Sequence, residues 1–339
     1  MKKVRVEDAA GMILAHDITE IVPGKKKDVA FQKGKIIEAA DIERFLDLGK
    51  RHLYVFDHAI EGVHEDEAGL RIARAILGRH MELTAPKEGK VMITSTVDGL
   101  FKVNPEALYK LNRVKDVLVS TLPNRYPVKA GDRIASARII PLYIDEKTLV
   151  RVEKGWGRKK LISIAPFRRA SVGIVVTGSE VYEGRIPDSS HIVEKKLTNY
   201  GAGITGKAVV TDDIDMIKDA ILGLFDKGAD MVITTAGLSV DPDDVTREGI
   251  EATGAQTLFY GTPVAPGAMF LLARLDGKYI LGTPACVYFN NYTALDIILV
   301  RLLAGEKVTK ADVAKLAYGG LCMHCDVCRY PACYFGKGL

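Results

Sequence analysis

Apolar and polar positions change rhythm along this chain near residue 170. Beyond it, "SVGIVVTG" predicts a buried strand, "DSSHIVEKKLTNYG" a capped helix ended by Gly201, and "ITGKAVVTD" a second strand. "DIDMIKDAILGLFDKG" follows as a helix with Met216, Ile217, Ala220, Ile221 and Leu224 at helical spacing, and "ADMVITT" as a third strand. Strands alternating with helices are βαβ units, which predicts an α/β fold: a parallel sheet with helices on both faces. In "MFLLARLDGKYILGTP" two apolar runs meet at Asp276-Gly277, a hairpin signal. "YFNNYTALDIILVRLLAGE" then closes the unit as an amphipathic helix ending at Gly305.

Before residue 170 the pattern is α+β. A short helix over Ala40 to Leu48, stopped by Gly49, precedes a strand over His52 to Phe56. "HEDEAGLRIARAILG" predicts a helix with Leu70, Ala73 and Leu77 on one face. "KVMITSTV", "DVLVSTL" and "RIASARIIPLYI" are β-type runs broken by Gly, Pro and Asn. The expected organisation is an N-terminal α+β region over 1–168, open to a subdivision near 80, an α/β domain over 169–305, and a Cys-rich tail over 306–339.

Composition narrows the classes. With 339 residues, 47% of them hydrophobic and 27% charged, the chain can bury a sizeable core. The net charge of +4 is modest, and the basic pieces "KKK", "GRKK" and "FRRA" have no aromatic platform beside them, so no nucleic-acid partner is expected. No run reaches the roughly 18 apolar residues that span a bilayer, and no apolar signal region follows the first lysines. The expectation is therefore a cytoplasmic protein without a membrane partner.

Candidate chemistry gathers where predicted strands end, the place where open α/β sheets bind ligands. At one end, Thr177, Gly178 and Ser179 offer backbone N–H groups and hydroxyls to an anion, with Glu180 beside them and Asp188 ahead of the next helix. At the other, "TTAGLSVDPDDVTREG" carries Gly237, Ser239, Asp241, Asp243 and Asp244, and Asp241-Pro242 reads as an N-cap followed by proline at the first helical position. Carboxylates beside phosphate-sized space suit Mg²⁺ with a phosphate ligand.

"TTAGLSVDPDD" and "TGSE…GRIPDSS" resemble the paired signatures of the molybdenum-cofactor biosynthesis domain, and "GTPVAPGAMFLL…GKYILGTP" resembles its Pro-Gly segment, over roughly residues 171 to 305. Upstream, "EDAAGMILAHDI" and "FQKGKIIEAADIERFLDLGKRHLYVF" resemble pieces of the molybdopterin molybdenumtransferase family, the MoeA and gephyrin E-domain proteins. The resemblance implies a molybdopterin-binding protein, with Glu180 and Asp244 at the catalytic acidic positions and Thr177, Gly178, Asp188, Ser189, Gly237 and Ser239 in the pterin site. It implies Mg²⁺, molybdate as substrate, a homodimer, and a molybdoenzyme or another biosynthetic protein as partner. The chain departs from the family in three places. A "P-x-x-x-x-S-x-M-D-G-Y-A" segment has no counterpart, two family lysines are Ala265 and Ala268, and Cys286 stands where asparagine is usual. These departures keep a second reading open, a non-catalytic cofactor carrier or redox sensor.

The tail "LCMHCDVCRYPACYFGKGL" places Cys322, Cys325, Cys328 and Cys333 in a C-x2-C-x2-C-x4-C pattern. Four thiolates this close predict a metal centre, either a [4Fe–4S] cluster or structural zinc. With little apolar sequence of its own, the tail is expected to owe its order to that metal.

Overall fold

The computed structural model describes residues 2–56, 62–158 and 161–338; the last two residues of the "GRKK" piece lie outside them. Its largest sheet has six strands in the order Gly203–Val210, Ser171–Thr177, Met231–Thr235, Lys278–Thr283, Leu271–Leu275, Gln256–Tyr260. The first four run parallel. The hairpin partner Leu271–Leu275 runs antiparallel to Lys278–Thr283, and Gln256–Tyr260 antiparallel to that in turn. Asp276 and Gly277 both take positive φ, 46° and 87°, the two-residue turn that the twist of a hairpin favours.

Strand side chains alternate between two cores, as a sheet covered on both faces requires. Val172, Ile174 and Val176 pack with Val193 and Leu197 of the helix His191–Asn199 and with the helix Ala294–Leu303. Val175, Val232 and Ile280 pack on the other face with Ile217, Ile221 and Leu224 of the helix Ile214–Asp226, and with Ile250 of Thr246–Ala252. Gly173 lets that second layer approach closely, since a Cβ there would sit 2.9 Å from the Leu224 side chain.

Because Gln256–Tyr260 is two antiparallel steps from Lys278–Thr283, its carboxyl end emerges at the same edge as Thr177, Thr235 and Thr283. Five connections therefore gather at one edge of the sheet: 178–190, 211–213, 236–245, 261–270 and 284–293. That edge positions the candidate site.

Upstream, one buried cluster includes Val6, Leu14, Ile37, Phe45 and Leu53. Another, with Ile72, Ile76, Ile93, Phe101 and Ile164, lies among a four-stranded and a three-stranded sheet. The helix Glu65–Ile76 buries Ala68, Ile72, Ala73 and Ile76, while Leu70 and Leu77 are only half-buried. Its buried stripe is thus rotated from the predicted one, as Gly69 presses toward the Gly89 carbonyl, where a Cβ would stand 2.8 Å from the oxygen. No described helix is long and apolar enough to cross a membrane.

The tail folds back onto the gathered edge. Ala265 N donates to Gly320 O and Cys322 N donates to Ala265 O, each at 2.8 Å. Phe335 is buried in the core shared with Ala294–Leu303, and the half-buried Tyr330 stacks on Tyr292 with ring centroids 4.2 Å apart. The tail thus carries packing contacts of its own, where the sequence predicted order through a metal alone.

Candidate functional site

Two of the five connections, those after Thr177 and Thr235, leave neighbouring parallel strands, and one side chain ties their starts together. Thr177, 2% exposed, donates its hydroxyl to the Thr235 carbonyl at 2.8 Å and meets the Thr246 hydroxyl at 3.0 Å. Its role in this structure is to hold the two strand ends in register. Gly237 sits in this joint with φ 61°, and a Cβ there would lie 2.1 Å from Thr246 Oγ1. No side chain fits, so glycine is required by contact as well as by conformation.

Beyond Thr177 the chain turns at Gly178 (φ 139°) into the short helix Ser179–Tyr182. Ser179 N and Ser179 Oγ both donate to Asp212 Oδ2, at 2.8 and 3.0 Å, and the hydroxyl also meets Thr211 Oγ1 at 2.7 Å. These donors, predicted to face an anion, are engaged within the protein. Asp212 was not singled out in the sequence; the polar "TDD" directly after the Gly203–Val210 strand is the signal that marks it. Glu180 is exposed on the same turn.

The second connection differs from its predicted form. Asp241-Pro242 begins a turn, not a helix: Asp244 N donates to Asp241 O at 3.0 Å, Asp243 N to Asp241 Oδ1 at 3.1 Å, and the helix starts only at Thr246. Proline at the second position and aspartate at the first suit such a turn as well as they suit a helix start. Asp244 is therefore outside the helix, and its Oδ2 accepts from Ser239 N at 2.7 Å, closing the loop over Leu238. Ser239 is exposed at the loop tip.

Asp188 likewise stands two residues before the N-cap Ser190. It accepts from Ser190 N at 2.7 Å, from Ser190 Oγ at 2.9 Å and from Lys207 Nζ at 2.6 Å. Burial alone would raise its carboxyl, but the bonds from Lys207 and Ser190 outweigh it and hold Asp188 below its ordinary value. Ser189, half-buried, lies between Asp188 and this cap.

A cavity of about 510 Å³ adjoins the strand ends, within the size range of small-molecule sites. It is lined by His191, Lys195, Lys196, Tyr200, Tyr288 and Asn291, among others. Tyr288 joins it to the crevice by donating to Thr235 Oγ1 at 2.6 Å. In its wall Lys196 Nζ pairs with Asp296 at 2.9 Å and donates to the Asn291 carbonyl. Burial pushes the Asp296 carboxyl up despite the attraction of Lys196 and the N–H of Thr293. Lys195 and His191 remain exposed at this cavity, and Lys195 supplies positive charge there. Cys286 is half-buried in the connection after Thr283, and burial raises its thiol.

Among the described residues, no three His, Cys, Asp or Glu side chains gather closely enough to hold a metal ion. The donors expected for Mg²⁺ account for this in part, because Asp244 is bound to Ser239 N. The four tail cysteines are free thiols, Cys325 and Cys328 exposed, Cys322 and Cys333 half-buried.

Residues 173–305 match a family described as a probable molybdopterin binding domain, and residues 3–57 match a domain family of unknown function. The chain is similar to a molybdopterin molybdenumtransferase of Staphylococcus epidermidis, 24% identical over 338 residues that cover 92% of this chain and 74% of the relative. A molybdopterin molybdenumtransferase of Staphylococcus aureus is 31% identical over 127 residues, 34% of this chain and 29% of its own. Among solved structures, the molybdopterin biosynthesis enzyme MoaB of Thermus thermophilus covers 40% of this chain and 98% of its own, at 18% identity and a TM-score of 0.32.

Proposed function

We propose that the molybdopterin-binding domain in residues 173–305 takes up molybdopterin at its gathered strand ends, and that the chain acts in molybdenum-cofactor biosynthesis as a binding and holding protein. The observation that carries this reading is the coincidence of the family match with the edge where five connections converge beside a cavity lined by Lys195 and Lys196. The turn at Gly178 and the loop from Gly237 to Asp244 would flank the ligand. Lys195 offers the charge, and His191 a ring N–H, that a pterin phosphate would take.

No three His, Cys, Asp or Glu side chains among the described residues are placed to hold Mg²⁺ by themselves, so no step is assigned to it. Ser179 and Asp244 hold their own loops closed, which favours holding over chemistry. A second reading, insertion of molybdate as substrate, is supported by the similarity to a molybdenumtransferase along 92% of the chain.

Anaerobic purification followed by acid release and identification of bound pterin tests the proposal. A stoichiometric phosphorylated pterin is expected, and a nucleotide in its place would refute it. Release of molybdenum-loaded cofactor after incubation with molybdate would move the account to the second reading.

A further inference from the structure

We propose that Cys322, Cys325, Cys328 and Cys333 hold a [4Fe–4S] cluster in the cavity between the tail and residues 289–292. All four line this one cavity, about 170 Å³ in volume, and Tyr292 and Phe335 form part of its apolar wall. The fifth cysteine, Cys286, is not among its lining residues.

The order of the cysteines favours iron: C-x2-C-x2-C-x4-C is one residue longer than the C-x2-C-x2-C-x3-C run that binds [4Fe–4S] clusters. Among the described residues no three donors converge as the thiols stand, so loading requires the exposed Cys325 and Cys328 to turn into the cavity that all four line. A cubane takes one thiolate on each of its four irons, and the four cysteines around this volume supply that number.

The frame around the cavity forms from contacts that require no metal. The paired bonds between Ala265 and the Gly320–Cys322 segment fix one end. Tyr334 Oη, donating to Leu321 O at 2.8 Å, and buried Phe335 fix the other. The cysteine loop is thus held in place before any iron arrives. Cys328 also lines the larger cavity beside the strand ends, so the cluster would lie one side chain from the crevice.

This inference is independent of pterin binding. The test is anaerobic reconstitution of the full chain with ferrous iron and sulfide, followed by metal and sulfide analysis. About four iron and four acid-labile sulfide per chain are expected, with a brown absorbance that dithionite bleaches. Cys325→Ser and Cys328→Ser alter exposed side chains, so both should keep the wild-type melting temperature and lose the cluster. Cys286→Ser should keep it. Binding of one zinc with no uptake of iron would overturn the proposal. So would four thiols that still titrate as free after reconstitution, or variants that keep the full iron content. Loss of pterin binding with the cluster intact would count against the pterin reading only.

Discussion

At the residue scale the crevice depends on a few contacts whose geometry excludes substitutes. Gly237→Ala drives a Cβ against the Thr246 hydroxyl at a positive φ. We expect a loss of about 1–3 kcal/mol in a denaturant titration, together with weakened ligand binding. Asp244→Asn weakens the acceptor for Ser239 N in a partly exposed loop, so about 1 kcal/mol should be lost, with ligand affinity falling further than stability alone accounts for. Asp188 gives a pH signature. Its folded-state pKa lies below the unfolded one, so its contribution is present above about pH 4 and is lost as pH falls through the folded value. Lys207 is raised by the hydrogen bond it donates to Asp188, so its share is complete below its unfolded pKa and lost only in strong alkali. The pair is partly exposed, so wild type should exceed Asp188→Asn by less than about 1 kcal/mol at pH 7. The gap should close on acidification, and melts across pH 3 to 8 would show it. What the sequence left hidden at this scale is hydrogen-bond destination. "TGSE" advertises free donors, but only the fold brings Asp212 to Ser179 and leaves Thr177 facing Thr246.

At the element scale the α/β alternation was legible because period and punctuation agree. The strands Ser171–Thr177 and Met231–Thr235, the helix Ile214–Asp226 capped by Asp213, and the Asp276-Gly277 hairpin all stand where the pattern put them. Asp241-Pro242 misled because the same two residues open a turn and a helix equally well. The closing helix starts later than its apolar run implies, at Ala294, since Thr293 and Asp296 form a capping box; the "TALD" spacing is its signal. Asp296 has a second role, as the fully buried partner of Lys196 in the cavity wall. Lys196→Met should therefore cost about 3–5 kcal/mol by leaving that carboxylate without its cation. Chemical denaturation measures this, and a loss below about 1 kcal/mol would show the pair to be incidental.

At the scale of the whole molecule, the informative contacts join residues far apart in sequence. Ala265 meets Gly320 and Cys322, so the tail covers the loop in which alanines replace two lysines. Sequence patterns of period two or 3.6 carry no record of such a meeting, which is why the tail read as an appendage held by metal alone. The five connections, the cavity and the tail instead meet at a single edge of one sheet. The most direct test of that arrangement is an anaerobic titration of the intact chain with molybdopterin, followed by pterin fluorescence, for wild type, Gly237→Ala and Lys195→Ala. The account predicts saturable binding of one pterin per chain, weakened about tenfold or more, roughly 1.4 kcal/mol, in both folded variants. Absence of saturable binding, or equal affinity in all three proteins, would contradict it.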